Sequence, residues 1–178
     1  LNLFKGSDLN VKKAAGEASA WGKLLINLNN AVCALTHTTF KDMLCDADMR
    51  ALFVEILDEA VAVLDSAGIK YRLPVPLPYS GYRMLMLHAG PMPWWFAKYS
   101  NGLSDQSYPS MVADVERGRP TEINQLNGEI VRLGEQQGVD TPINRRLVNM
   151  IQDKEKRAEQ SRPLTPAGLR AALESPDG

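Results

Sequence analysis

Between Trp21 and Phe40 the chain carries a single charged residue, Lys23. Over the same stretch Trp21, Leu24, Leu25, Leu28, Val32 and Leu35 recur on one side at about 100° per residue, which is the period of an α-helix. The pattern starts near Glu17 and predicts a long helix from there to about Phe40. A membrane span is excluded because Asn27, Asn29 and Asn30 interrupt the apolar run. A helix this poor in charge has to be buried over much of its surface, so the rest of the chain must supply the cover.

The remaining periodic segments supply more helices. A helix is expected from Asp48, read as its N-cap, to Ala67, with Leu52, Ile56, Ala60 and Val63 as its apolar stripe and Gly68 as its stop. Prolines 74, 76 and 78 then forbid a helix interior or a central strand. Short helices are expected over Gly81–Ala89, Pro93–Tyr99 and Ser107–Gly118. A longer one is expected from near Thr121 to Gly138, carrying Ile123, Leu126, Ile130 and Leu133. Thr141 as N-cap and Pro142 at the first position open another, with Leu147, Met150 and Ile151 inward. The stretch after Ser161 holds a Thr165-Pro166 start and reads as peripheral. No strand pair emerges. The expectation is an all-α domain of about six or seven helices spanning 17–160, with a lead-in over 1–16 and a tail over 161–178.

Composition narrows the function classes. The 178 residues carry a net charge of −1, which lacks the basic surplus that nucleic acid or an anionic membrane surface would demand. Cys33 and Cys45 form no CxxC pair and have no histidine at ligand spacing, so no metal site is expected. Both read as buried thiols of a reducing, cytoplasmic compartment. No GxGxxG follows a strand, so these residues offer no cradle for a dinucleotide. No apolar signal segment stands near the start, and the chain opens on Leu1, as expected for a piece of something longer.

Candidate chemistry lies on the first long helix. On a straight helix Asn27 falls about 40° to one side of Lys23 and Asn30 about 20° to the other, away from the apolar stripe. No carboxylate sits within a turn to pair with Lys23. An ordinary exposed face would be filled with Glu, Lys and Arg, whereas Asn is a poor helix former. A cleft-lining stripe fits better: amides orient a ligand without adding charge, and a lone Lys can be tuned for proton transfer. A second cluster runs from Ser110 through Asp114 to Glu122. Ser110 and Asp114 share a face one turn apart, and a helix-start hydroxyl with free N–H groups suits a carboxylate. Glu122 in a first helical turn is accounted for by the helix dipole alone, and a catalytic role is the sharper alternative. Gly128 within a helix costs about 1 kcal/mol against Ala and points to close packing. The aromatic and Met-rich Met84–Phe96 segment reads as core or subunit interface, with the apolar wall of a pocket as the alternative.

These residues carry a resemblance. The run Trp21-Gly-Lys23-Leu-Leu-Ile-Asn27 resembles the Lys-x-x-x-Asn helix that opens the C-terminal domain of ketopantoate reductases. Ser110-Met-x-x-Asp114 and Thr121-Glu122-Ile-x-x-Leu-Asn-Gly128 are similar to that family's second motif, with the same twelve-residue step from Ser to Glu. Gly138-Val-x-Thr-Pro142-x-Asn144 resembles the approach to its last helix. Two positions depart from the pattern: Ala31 stands where many members have a second Asn, and Ser107 where an Asn often precedes the Ser.

The resemblance implies an all-α fold of the 6-phosphogluconate-dehydrogenase C-terminal-like type. It implies NADPH-dependent reduction of a 2-keto acid, ketopantoate to pantoate, with the NADPH held mainly by a separate N-terminal Rossmann-type domain. Lys23 would be the general acid, and Asn27 would orient it and the substrate. Ser110 would hold the carboxylate end, and Glu122 would bond substrate or tune Lys23. Asn30 would stand in for the amide missing at Ala31, and Asp114 would complete the substrate set. A homodimer is expected from the Trp94–Phe96 cluster. Two alternatives stay open: a reductase of another 2-keto acid, motivated by Ala31, and a non-catalytic helical dimerisation domain.

Overall fold

In a computed structural model the described residues are 5–156 and 162–175, with side chains from Gly16 onward. They form α-helices and one 3-10 turn, with no strand among them. In chain order the helices are α1 (Lys5–Asn27), α2 (Asn29–Thr36), α3 (Phe40–Cys45), α4 (Ala47–Ser66) and α5 (Tyr79–His88). They continue with α6 (Met92–Asn101), α7 (Ser110–Glu116), α8 (Asn127–Gln137), α9 (Pro142–Lys156) and α10 (Pro166–Glu174). The all-α expectation holds. The described residues hold more helices than expected because the first long segment divides into α1 and α2, α3 forms over Phe40–Cys45, and the end of the chain folds as α10.

The first break is at Leu28. Its N–H bonds the Leu25 carbonyl three residues back, at 3.3 Å, so the ladder tightens and restarts as α2. A second interruption follows at His37, which adopts a left-handed conformation (φ 52°) and ends α2. Thr39 then opens α3 with a capping box: its Oγ1 accepts from Asp42 N–H, and Asp42 accepts from Thr39 N–H. The Thr121–Gly138 segment is broken in the same way. A 3-10 turn over Ile123–Gln125 ends at Leu126 (φ −105°, ψ −97°), and only then does α8 begin. Glu122 therefore precedes that turn instead of sitting in a helix's first turn.

Helix α4 is the axis of the domain. Eleven of its residues, among them Leu52, Phe53, Ile56, Leu57, Ala60 and Leu64, are buried, and it packs against α3, α5, α8, α9 and α10. Asp46, and not the expected Asp48, caps it by accepting from Met49 N–H, and Asp48 lies within the first turn. Gly68, at φ +66°, ends it as expected. Arg50 is buried here and spans two neighbours, donating to the Met86 carbonyl at 2.8 Å and the Leu44 carbonyl at 3.0 Å.

Two further corrections concern ends. The first helix starts at Lys5, within the expected lead-in. The stretch expected to be peripheral docks: Thr165 caps α10, Leu169 is wholly buried, and Leu164 N–H bonds the Leu35 carbonyl at 2.9 Å. Helix α10 thereby packs on α2, α4 and α9. Apolar surface from Leu169 decides its place. Residues 157–161 and 176–178 of the expected tail lie outside the described residues. Cys33 is buried as expected, and burial pushes its thiol up to about 12. Cys45 is exposed, because it ends α3 just before the Asp46 turn.

Candidate functional site

Chain geometry brings Lys23 and Asn27 to the mouth of a cleft. The last turns of α1 run beneath the proline segment: Arg72 N–H bonds the Ala18 carbonyl at 2.8 Å, and the Arg72 backbone crosses directly over Gly22. That crossing lays Pro74 and Val75 beside Lys23. Helices α5 and α6 close the other side with Tyr82, Leu85, Phe96 and Ala97, and Phe40 and Leu44 of α3 complete the wall. The cleft measures about 330 Å³, within the range for small-molecule sites.

Its polarity is concentrated on the α1–α2 side. Lys23 is exposed, Asn27 half-buried, and no carboxylate among the described residues pairs with Lys23. The third polar group there is Asn29, not Asn30. On a straight helix Asn30 would share the Lys23 stripe, but the tightened turn at Leu28 changes the phase of everything after it. Asn30 is buried and does not line the cleft, and Ala31 is wholly buried. Asn29 is 4% exposed, lines the cleft, and its carboxamide oxygen has no hydrogen-bond partner among the described residues. Tyr82 is buried in the opposite wall, and burial pushes its hydroxyl pKa upward, which keeps it protonated.

The second cluster is placed elsewhere. Ser110 is the exposed first residue of α7, Asp114 is half-buried on the same helix, and Glu122 is exposed beyond it. None of the three lines the cleft, and no hydrogen bond or ion pair joins them to Lys23 among the described residues. Helix α7 packs on α2, so this cluster flanks the same helix pair from another side.

The later motif residues have a structural task. Asn144 and Asn127 are wholly buried, and Asn127 Nδ2 donates to Asn144 Oδ1 at 3.0 Å. Asn127 also reaches the Leu28 carbonyl (3.5 Å), at the junction of α1 and α2. Asn144 Nδ2 donates to the Ile56 carbonyl (3.1 Å) and to Glu59 (2.8 Å). Thr141 was expected to cap α9, yet its hydroxyl is buried without a partner among the described residues. Glu59 takes that task from α4, accepting from the N–H groups of Ile143 (2.8 Å) and Asn144 (3.0 Å). A cap supplied from a distant helix has no local sequence signature. Gly128 is tight against its own preceding turn: a Cβ there would meet the Ile123 carbonyl oxygen at 3.3 Å.

A second hollow, of about 440 Å³, lies between α4 and α10, but its one guanidinium, Arg170, is already bonded to Glu55 at 2.6 Å. It gathers no group free to act on a ligand comparable to Lys23. Among the described residues no helix is long and apolar enough to cross a membrane.

Known proteins resemble this chain over most of its length. A 2-dehydropantoate 2-reductase of Vibrio cholerae is 27% identical over 140 residues, which cover 79% of this chain and 42% of that protein. The chain thus spans under half the length of that relative. The crystal structure of a PanE/ApbA family ketopantoate reductase from Ralstonia eutropha JMP134 superposes with a TM-score of 0.58 at 26% identity, covering 79% of this chain and 41% of that one. A dimeric ketopantoate reductase from Staphylococcus aureus shares the fold, with a TM-score of 0.57 at 22% identity over 78% of this chain and 43% of that one. Residues 17–155, from the helix that presents Lys23 to the end of α9, match the family described as ketopantoate reductase PanE/ApbA C terminal, and the chain belongs to that family.

Proposed function

We propose that this chain is the substrate-binding and proton-donating half of an NADPH-dependent 2-dehydropantoate 2-reductase, which reduces ketopantoate to pantoate on the way to pantothenate. The observation that carries the reading is a Lys without a carboxylate partner, set beside Asn27 and Asn29 in a mainly apolar cleft. A ketone becoming an alkoxide needs a proton donor and a nearby positive charge, and an unpaired ammonium supplies both.

Lys23 gives its proton to the carbonyl oxygen as negative charge builds there. Asn27, one helical turn on, orients the ammonium and the substrate. Ser110 and Glu122 belong to this proposal as groups that meet the substrate's carboxylate and Lys23 once a second domain closes on the cleft, and Asp114 supports Ser110 from the next turn. The reduced nicotinamide, when bound, supplies the hydride to the carbonyl carbon. Among the described residues there is no strand leading through a glycine-rich turn into a helix, so the pyrophosphate has no cradle in this half. Its natural holder is an N-terminal Rossmann-type domain. Exposed Met84, Met92, Trp95 and Tyr99 offer apolar surface to that domain or to a second copy in a homodimer.

The test is direct. The full-length protein, given NADPH and ketopantoate, is expected to consume NADPH and form pantoate stoichiometrically. Turnover of a different 2-keto acid with none of ketopantoate would favour the reading suggested by Ala31. No turnover of any 2-keto acid would leave a non-catalytic helical domain.

A further inference from the structure

Asn29 lines the cleft beside Lys23, yet neither the spacing of the sequence nor the family motif singles it out. Its environment leaves it incomplete. The residue is 4% exposed, and its carboxamide oxygen is shut off from solvent with no donor among the described residues. A buried acceptor left unpaired costs about 1–3 kcal/mol, so such groups persist where a partner arrives from outside. Two other buried oxygens share this state, those of Asn127 and Thr141, but neither residue lines the Lys23 cleft. Asn29 does, next to Lys23 and Asn27.

The chemistry of the missing partner follows from the atom. A carbonyl oxygen accepts and cannot donate. In a 2-oxo acid the ketone and the ionised carboxylate are acceptors too, so the reacting end of such a substrate can meet the Asn29 amide N–H groups but has no donor for its oxygen. The rest of the wall facing it is mainly apolar, with Phe40, Leu85, Phe96 and Leu103. A hydroxyl on the substrate's side chain, set into that wall, would find its acceptor in Asn29.

We propose that Asn29 is a specificity-determining residue that accepts a hydrogen bond from a side-chain hydroxyl of the 2-oxo acid, so that the cleft selects hydroxylated over plain alkyl keto acids. This rests on the reductase reading above. The test compares two substrates that differ by that hydroxyl, ketopantoate and 3,3-dimethyl-2-oxobutanoate, on the full-length enzyme with NADPH. Wild type is expected to favour ketopantoate in kcat/KM by about tenfold or more, since a site built for a hydroxyl rejects the analogue that lacks it. Asn29→Leu is expected to remove that preference by lowering kcat/KM for ketopantoate much more than for the deoxy analogue. Asn29→Asp, which keeps an acceptor oxygen, is expected to retain the preference.

Activity on the deoxy analogue reports that the variants are folded. Should Asn29→Leu lose both activities, Asn29→Asp is decisive: retained preference supports the inference, and lost preference overturns it. Equal losses on both substrates in a folded Asn29→Leu enzyme also overturn it, because the contact would then be to the part the substrates share. A wild-type enzyme that reduces both keto acids equally well overturns the inference and leaves the reductase reading standing. One that reduces neither overturns the reductase reading itself.

Discussion

A Cβ built at Gly22 would lie 1.7 Å from the Arg72 carbonyl oxygen and 2.3 Å from its carbon, backbone atoms that cannot step aside without moving the proline segment. Gly22→Ala is therefore expected to destabilise the protein by about 1–3 kcal/mol, the usual cost of overpacking, and to raise KM by displacing Pro74 and Val75 from the cleft wall. Thermal unfolding and steady-state kinetics check the two parts, and an unchanged Tm would refute the close crossing. At this scale the sequence was informative about Lys23 and Asn27, because both precede the break at Leu28 and a straight helical wheel describes them correctly. It misplaced Asn30 and passed over Asn29 because that wheel assumes one unbroken phase. The available signal was three asparagines in four residues, poor helix formers clustered where the helix tightens.

Elements in this domain are tied by polar groups from distant helices. Asn144 bonds Ile56, Glu59 and Asn127, so Asn144→Ala strands a buried carbonyl and a buried amide together. It is expected to cost about 2–3 kcal/mol, seen as a lower urea midpoint with an unchanged m-value. A loss below about 0.5 kcal/mol would show that α4, α8 and α9 do not depend on this node. Asp105 does a similar job for the segment between α6 and α7, accepting from Lys41 at 2.7 Å and Lys98 at 2.6 Å. Those hydrogen bonds hold its carboxyl down to about 2, against an ordinary 3.8. A depressed acid stabilises the fold above its unfolded pKa and loses that contribution as pH falls through the folded one. The Tm gap between wild type and Asp105→Asn should thus be steady above about pH 4 and shrink toward pH 2; a gap that widens on acidification would contradict the pairing. Helix positions were readable from apolar period and from Gly and Pro. The breaks at Leu28 and Leu126 and the Glu59 cap were not, since tertiary partners decide them.

For the whole molecule, the all-α class followed from periodicity alone, and the docking of α10 was missed because one buried leucine in a short helix leaves little trace in a sequence. The division of labour proposed here gives two whole-molecule predictions. The isolated 178 residues should neither reduce ketopantoate nor bind NADPH tightly, and tight binding in calorimetry would show that the cofactor site has been assigned to the wrong half. The central claim is that Lys23 protonates the developing alkoxide. Lys23→Ala in the full-length enzyme is expected to lower kcat by a factor of about 10² or more while the protein stays folded, as for the loss of a general acid. A folded Lys23→Ala enzyme with near-normal kcat on its best keto acid would contradict it.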